Sequence, residues 1–96
     1  MSKNLIWLPG AIEDIVRLRG FIAQKNPKAA QRAASKIKEA AKIILHNPLA
    51  GRPVDDLAGF REFVINFGAG SYVLRYNMNG QSIVIVNVWH NREDRL

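Results

Sequence analysis

The side chains best suited to chemistry in this 96-residue chain lie in its last third. Four are cationic or titratable and three are aromatic: Arg61, Arg75, His90 and Arg92, with Tyr72, Tyr76 and Trp89. Histidine titrates near neutral pH and can act as a general acid or base, and arginine binds phosphate through two parallel hydrogen bonds. The set therefore suits either ribonuclease chemistry or an adhesive surface for an acidic protein segment. In a third, purely structural interpretation the arginines are ordinary solvated residues.

Other familiar chemistries lack the spacing they need. His46 and His90 stand in different predicted elements without a metal-ligand pattern, so no metal site is expected. The glycines of residues 68–71 lie between two strand-like runs rather than before a helix, which argues against a phosphate-binding loop. The chain has no cysteine and therefore no disulfide or thiolate site.

Four strand-like runs and two helices must position these side chains. Residues 60–67, 72–78 and 83–89 are rich in β-branched and aromatic residues, and Asn79-Gly80 is a hairpin signal between the last two runs. The run 83–89 is apolar on both faces until Asn87, which predicts a central strand with the run 72–78 on one side and the run 5–8 on the other. Arg61 shares the parity of apolar residues in its strand, so it is expected at a sheet edge or in a cleft.

The first half of the chain predicts two amphipathic helices. Apolar residues recur at spacings of three and four from Ala11 to Ile22. Asn26 is a good N-cap and Pro27 a good first residue for a second helix, whose inner face is rich in alanine. We therefore predict an α+β fold of order β-α-α-β-β-β, in which a two-helix hairpin packs on a small, mainly antiparallel four-stranded sheet. Residues 46–59 are expected to form a turn-rich connector.

Length and charge restrict the class of protein further. A chain of 96 residues predicts a single domain spanning residues 1–96, and no apolar run approaches the ~20 residues that cross a bilayer. The lack of cysteine and of a long apolar leader predicts a cytoplasmic protein. Fourteen Lys and Arg against eight Asp and Glu give a net charge of +6, which predicts attraction to nucleic acid, a ribosome or an acidic protein.

Short motifs occur along this predicted order of elements: Trp7-Leu8-Pro9, Asn26-Pro27-Lys28, Gly51-Arg52-Pro53, Gly59-Phe60-Arg61-Glu62, Tyr72-Val73-Leu74-Arg75-Tyr76 and Val88-Trp89-His90-Asn91-Arg92. In order and spacing they resemble the RelE/ParE toxin superfamily of bacterial type II toxin–antitoxin systems, over essentially the whole chain. The resemblance implies a toxin without a cofactor, neutralised by a cognate antitoxin that is acidic, partly disordered and folds on binding. It also implies a role in plasmid stabilization, prophage maintenance or stress-induced growth arrest.

The resemblance divides into two mechanisms. RelE-like members cut messenger RNA in the ribosome, whereas ParE-like members inhibit DNA gyrase and are not nucleases. The RelE-like pattern has lysines where this chain has Glu62 and Val64, and an arginine where it has Val73. The ParE-like pattern fits Gly51-Arg52-Pro53, Arg61-Glu62, the strand from Tyr72 to Tyr76, and Val88-x-His90-x-Arg92. We therefore favour a ParE-like gyrase inhibitor that is not an enzyme, with a RelE-like ribosome-dependent endonuclease as the alternative.

The choice between the two mechanisms also decides which residues are predicted to be catalytic and which are predicted to bind a partner. A ribonuclease would use His90, Arg92 and Arg61, but no catalytic residue is assigned with the favoured mechanism. Six residues are predicted to bind the target or the antitoxin: Arg61, Arg75, Tyr72, Trp89, His90 and Arg92. For Arg61 a structural role is also predicted, in which a carboxylate holds the guanidinium. The candidates are Asp55 and Asp56 before the strand and Glu93 and Asp94 after the last strand.

Overall fold

The computed structural model describes residues 4–68 and 70–91. The elements are β1 Asn4–Trp7, α1 Pro9–Ala23, α2 Pro27–His46, β2 Arg52–Val54, β3 Leu57–Phe67, β4 Gly70–Asn79 and β5 Ser82–His90. The predicted α+β class and the helix hairpin are confirmed. No helix in the part of the chain that the structure describes is both long and apolar enough to span a membrane.

The strands form one sheet in the order β1-β5-β4-β3-β2. β1 pairs in parallel with β5, and the other pairings are antiparallel. β5 therefore lies between β1 and β4, as its two apolar faces predicted. The sheet has five strands rather than the predicted four, because residues 52–54 of the supposed connector pair with β3. A three-residue edge strand that contains Pro53 is too short to show alternation in the sequence.

The helices pack on one face of the sheet. Asn26 caps α2 as predicted, since its Oδ1 accepts the Ala29 N–H at 3.1 Å. Six small or aliphatic residues of α2 are buried: Ala30, Ala33, Ile37, Ala40, Ala41 and Ile44. Four of the six are alanines, whose small side chains allow α1 to approach α2 closely.

The helix-facing side of the sheet supplies the rest of the core, including Tyr72, Leu74 and Tyr76 of β4. On β5 the buried positions are Ile83, Ile85 and Val88, so the alternation changes parity within the strand. The cause is a bulge: the neighbours Arg75 and Tyr76 pair with Asn87 and Ile85, which leaves Val86 as an extra residue. Residues after the bulge therefore face the side opposite to the one that simple alternation predicts.

Beyond the end of β1, helix α1 lies along the edge of β5. Asp14 of α1 accepts the backbone N–H of Val88 through Oδ2 at 2.9 Å, and the same oxygen lies 3.4 Å from Asn87 Nδ2. Arg17 also donates to Asp14, through Oδ1 at 3.0 Å. The carboxylate thus satisfies a strand N–H that has no β1 partner and links α1 to the second half of β5.

Candidate functional site

The predicted site residues separate into three places on the sheet. Arg75 and Trp89 lie on the open face, which we define as the side of the sheet turned away from the helices. Tyr72 and His90 lie together on the helix side, at the end of the sheet where β5 finishes. Arg61 lies at a corner formed by β3 and the loop before β2. Arg92 lies outside the described residues.

On the open face, Arg75 is held by a carboxylate and a ring; we call Glu62, Arg75 and Trp89 the Arg75 cluster. The antiparallel register places Glu62 of β3 directly beside Arg75 of β4. Arg75 donates to Glu62 Oε2 from Nε at 3.0 Å and from Nη2 at 2.7 Å, and its Cζ lies 5.0 Å from the Trp89 ring centroid. The two charged side chains are 25% and 16% exposed, so the pair is only partly screened by water.

At the corner, Arg61 holds a backbone carbonyl instead of a carboxylate. Its Nη1 donates to Gly51 O at 2.6 Å, while Asp55 and Asp56 are both exposed. The predicted partners in the preceding loop were therefore wrong, and Glu93 and Asp94 lie outside the described residues. A guanidinium donor can hold a loop through a carbonyl oxygen as well as through a carboxylate, and the sequence does not distinguish the two.

A buried tyrosine completes this corner; we call Pro48, Gly51, Arg61 and Tyr76 the Gly51 corner. The Tyr76 side chain is fully buried, and its hydroxyl donates to Pro48 O at 2.6 Å and accepts the Gly51 N–H at 2.9 Å. A Cβ on Gly51 would lie 2.8 Å from the Tyr76 hydroxyl and 2.9 Å from Glu62 O. Only glycine leaves room for this approach of loop, strand and ring.

At the end of the sheet, His90 lies against Gly70 and Tyr72 of β4. It is in register with Tyr72, and the two rings meet edge to face with centroids 5.1 Å apart. A Cβ on Gly70 would lie 2.6 Å from His90 Nε2, so the imidazole packs onto the Gly70 backbone. Asn91 closes this end by donating its N–H to Ser71 O at 2.8 Å and accepting the Ser71 N–H at 3.1 Å through Oδ1.

Within the described residues, these placements do not bring the His90 imidazole and the guanidinium of Arg61 or Arg75 together around a common position that one phosphate could occupy. Arg61 is in register with Tyr76 and His90 with Tyr72, so strand β4 lies between them across the sheet and they are offset by about 13 Å along β4 at ~3.3 Å per residue. Arg75 lies on the face opposite to His90. Within the described residues, His90 is therefore not placed beside Arg61 or Arg75.

Three members of these groups had no contact predicted from the sequence. Glu62 and Gly51 were named only within the motifs of the resemblance, with Glu62 also a position without a lysine, and Tyr76 was named as an aromatic residue without a contact for its hydroxyl. The sequence contains one signal for Glu62, the glycine-containing turn at residues 68–71. With Phe67 paired to Gly70 across that turn, the register of the two strands puts Glu62 opposite Arg75. No local signal predicts the Tyr76 contacts, because Pro48 and Gly51 are more than twenty residues away.

Comparison with known proteins decides the family. Residues 5–95 match the family model described as the ParE toxin of the type II toxin–antitoxin system, parDE. The chain belongs to this ParE toxin family. The chain is thus a type II toxin of the ParE/RelE family, and its membership of a toxin–antitoxin family implies an antitoxin partner.

The sequence relatives of the chain are named RelE, whereas the family model is named for ParE and the structure with the matching fold is titled for a ParDE system. The chain is 33% identical over 85 residues to "Toxin RelE1" of Caulobacter vibrioides, covering 88% of this chain and 89% of that protein. It is 34% identical over 87 residues to "Toxin RelE2" of the same organism, covering 91% and 93%. The fold matches a structure titled "Chromosomal ParDE TA system from P. aeruginosa", with TM-score 0.75, 23% identity and coverage of 93% and 96%. The RelE/ParE resemblance is confirmed.

Proposed function

We propose that this ParE toxin arrests growth by inhibiting DNA gyrase and is neutralised by a cognate antitoxin. The observation that carries the proposal is the state of Arg75. Its guanidinium binds Glu62 beside the Trp89 ring on the open face, opposite to the side of the sheet that holds His90, so it belongs to a formed surface and not to a site around the imidazole. A toxin that acts by binding needs a shaped surface rather than an acid–base pair.

The open face supports binding by its mixed character. The Arg75 cluster provides charged groups and an aromatic ring, and Val64 beside it is 44% exposed. Aromatic and arginine side chains are the usual anchors of protein interfaces, and exposed aliphatic surface gains free energy when a partner covers it. We propose that the target or the antitoxin contacts this face.

A pair of activity assays tests the target. The purified toxin is added to a gyrase supercoiling reaction and, in parallel, to cell-free translation with ribosomes and messenger RNA. We expect loss of supercoiling and intact messenger RNA. Arg75→Ala is expected to weaken the inhibition, whereas Arg19→Ala, which removes an exposed arginine of α1, is expected to leave it unchanged. Cleaved messenger RNA together with unaffected supercoiling would reject the gyrase proposal.

The antitoxin proposal has its own test. The net charge of +6 favours an acidic segment, and a disordered segment that folds on the toxin would bury its apolar surface while pairing its carboxylates. We expect tight binding to the product of the adjacent gene, weakening as salt rises. Absence of binding at low salt would contradict this partner and would leave the gyrase result unaffected.

One observation favours a second candidate, a RelE-like ribosome-dependent endonuclease: the Caulobacter vibrioides relatives are named RelE. In that case His90 would serve as the base. His90→Ala should then abolish messenger RNA cleavage, by two or more orders of magnitude if an acid–base group is lost. Gly70→Ala should also impair it, because the new Cβ would displace the imidazole. Toxicity that persists in both variants would exclude this role of His90.

A further inference from the structure

Helix α2 contains more cationic residues than any other helix or strand of the described residues. The helix contains five cationic residues, Lys28, Arg32, Lys36, Lys38 and Lys42, and a single acidic residue, Glu39. Lys28, Arg32 and Lys36 follow one another at intervals of four and are all exposed. We call these three the α2 stripe. None of the three has an ion-pair partner among residues 4–68 and 70–91.

The geometry of the helix places these three cations in a row. A spacing of four residues corresponds to about 6 Å of rise, so the α2 stripe is about 12 Å long. The buried residues Ala33, Ile37 and Ala40 occupy the opposite side of the helix, which directs the stripe toward solvent. Unpaired charges that are held in a row on a rigid element present a fixed pattern to an anionic partner.

Two surface hollows border the α2 stripe, and Arg32 and Lys36 line both. The first, of about 460 Å³, lies on the outer surface of α2 and is otherwise lined by Lys28, Gln31, Ser35 and Glu39. The second, of about 500 Å³, lies between α2 and the end of β3, where Ala29, Asn66, Phe67 and Gly68 complete it. Anionic groups can therefore reach Arg32 and Lys36 from two sides.

We propose that the α2 stripe binds the phosphate backbone of a nucleic acid without reading its base sequence. The first hollow is lined only by Lys, Arg, Gln, Ser and Glu side chains. Lysine, arginine, serine and glutamine are the usual contacts to phosphate oxygens. The cores of protein–protein interfaces, in contrast, are depleted in lysine and built on aromatic or aliphatic anchors, which this hollow lacks. The proposal does not rest on gyrase as the target.

Salt-dependent binding to simple duplexes tests the proposal. The probes are a DNA duplex and an RNA duplex of roughly 20 base pairs, each several times longer than the stripe at about 3.4 Å per base pair. The stripe variant combines Arg32→Gln with Lys36→Gln. Its matched control combines Arg19→Gln with Lys38→Gln, an exposed arginine and an exposed lysine that line neither hollow. Each variant loses one arginine and one lysine, so the two have the same net charge. Glutamine retains good helix propensity.

We expect the affinity of the unchanged toxin to fall steeply with salt. In the stripe variant the slope of log K against log salt should become shallower by about 1.8, from ~0.9 for each of two lost phosphate contacts. The control variant should keep the slope of the unchanged toxin. Glu39→Gln should strengthen binding, because it removes the one negative charge that lines the first hollow.

Each outcome decides the proposal. Binding to only one of the two duplexes, with the expected change of slope, supports it and identifies the source of the phosphates. Equal losses in the stripe and control variants would show a nonspecific effect of net charge and overturn it. A stripe variant that binds both duplexes normally but no longer binds the antitoxin would assign this face to a protein partner and also overturn it. Circular dichroism confirms that each variant is folded.

Discussion

The Gly51 corner and the Arg75 cluster each contain an arginine, on the neighbouring strands β3 and β4, but the two arginines are held differently. Arg61 donates to one backbone carbonyl, and that carbonyl belongs to a residue whose N–H binds a fully buried tyrosine. Arg75 donates to one side-chain carboxylate and lies over one ring, on the open face of the sheet.

The difference lies in what each arginine's neighbours lose if it is removed. At the Gly51 corner the contacts connect the loop before β2 to the body of the sheet, and the groups involved are backbone atoms that need partners. In the Arg75 cluster a removed guanidinium leaves a carboxylate that water can still reach. We therefore expect substitutions at the corner to change stability and substitutions in the cluster to change binding.

The largest effect is expected for Gly51→Ala. The added Cβ would meet the Tyr76 ring and hydroxyl at 2.8 Å, and overpacking of this kind costs about 1–3 kcal/mol. Thermal unfolding should show a drop of several degrees in Tm. Gly20→Ala is the matched control, since nothing lies within 4 Å of its Cβ position and an alanine in a helix interior stabilises by roughly 0.5–1 kcal/mol. Equal shifts in the two variants would contradict the close packing of Gly51 against Tyr76.

Tyr76→Phe should have the next largest effect. It keeps the ring in the core but removes the hydroxyl, so that Pro48 O and the Gly51 N–H lose their partner. Unsatisfied buried groups of this kind cost about 1–3 kcal/mol in the free energy of unfolding. Urea denaturation should show a lower midpoint with an unchanged slope. A midpoint equal to that of the unchanged toxin would mean that water replaces the hydroxyl without cost.

Arg61→Ala should lower stability by about 1.5 kcal/mol, the lower end of the range for a hydrogen bond from a charged donor. The Gly51 carbonyl loses its guanidinium donor, and the loop before β2 becomes less well held. Thermal unfolding measures the loss, and growth arrest measured at a temperature where the variant is folded should persist. An unchanged Tm together with lost toxicity would show that Arg61 contacts the target and has no structural role.

The smallest effect on stability is expected for the Arg75 cluster. A double-mutant cycle with Glu62→Gln and Arg75→Gln should give a coupling energy of at most about 1 kcal/mol, because partly solvated ion pairs contribute little. Inhibition of gyrase by Arg75→Gln should nevertheless fall markedly. If the coupling energy equals the loss at the Gly51 corner, the contrast between the two regions is wrong.

Local signals in the sequence were sufficient for most elements. Asn26 and Pro27 predicted the start of α2, and the Asn79-Gly80 signal predicted the β4–β5 hairpin, in which Asn79 pairs with Ser82. The two-sided apolar pattern predicted the place of β5 inside the sheet. β2 was missed, because three edge residues have no periodicity of their own and are ordered only by pairing with β3.

The sequence by itself determined the helices, the main strands and the family, because caps, turns and hydrophobic periodicity act over a few residues. The tertiary structure alone decided which side chains meet. The register of β3 and β4 pairs Glu62 with Arg75, and the bulge at Val86 puts His90 beside Tyr72 on the helix side of the sheet. Such pairings join residues that are distant in the chain, so they depend on how whole strands align and not on the preference of any single residue.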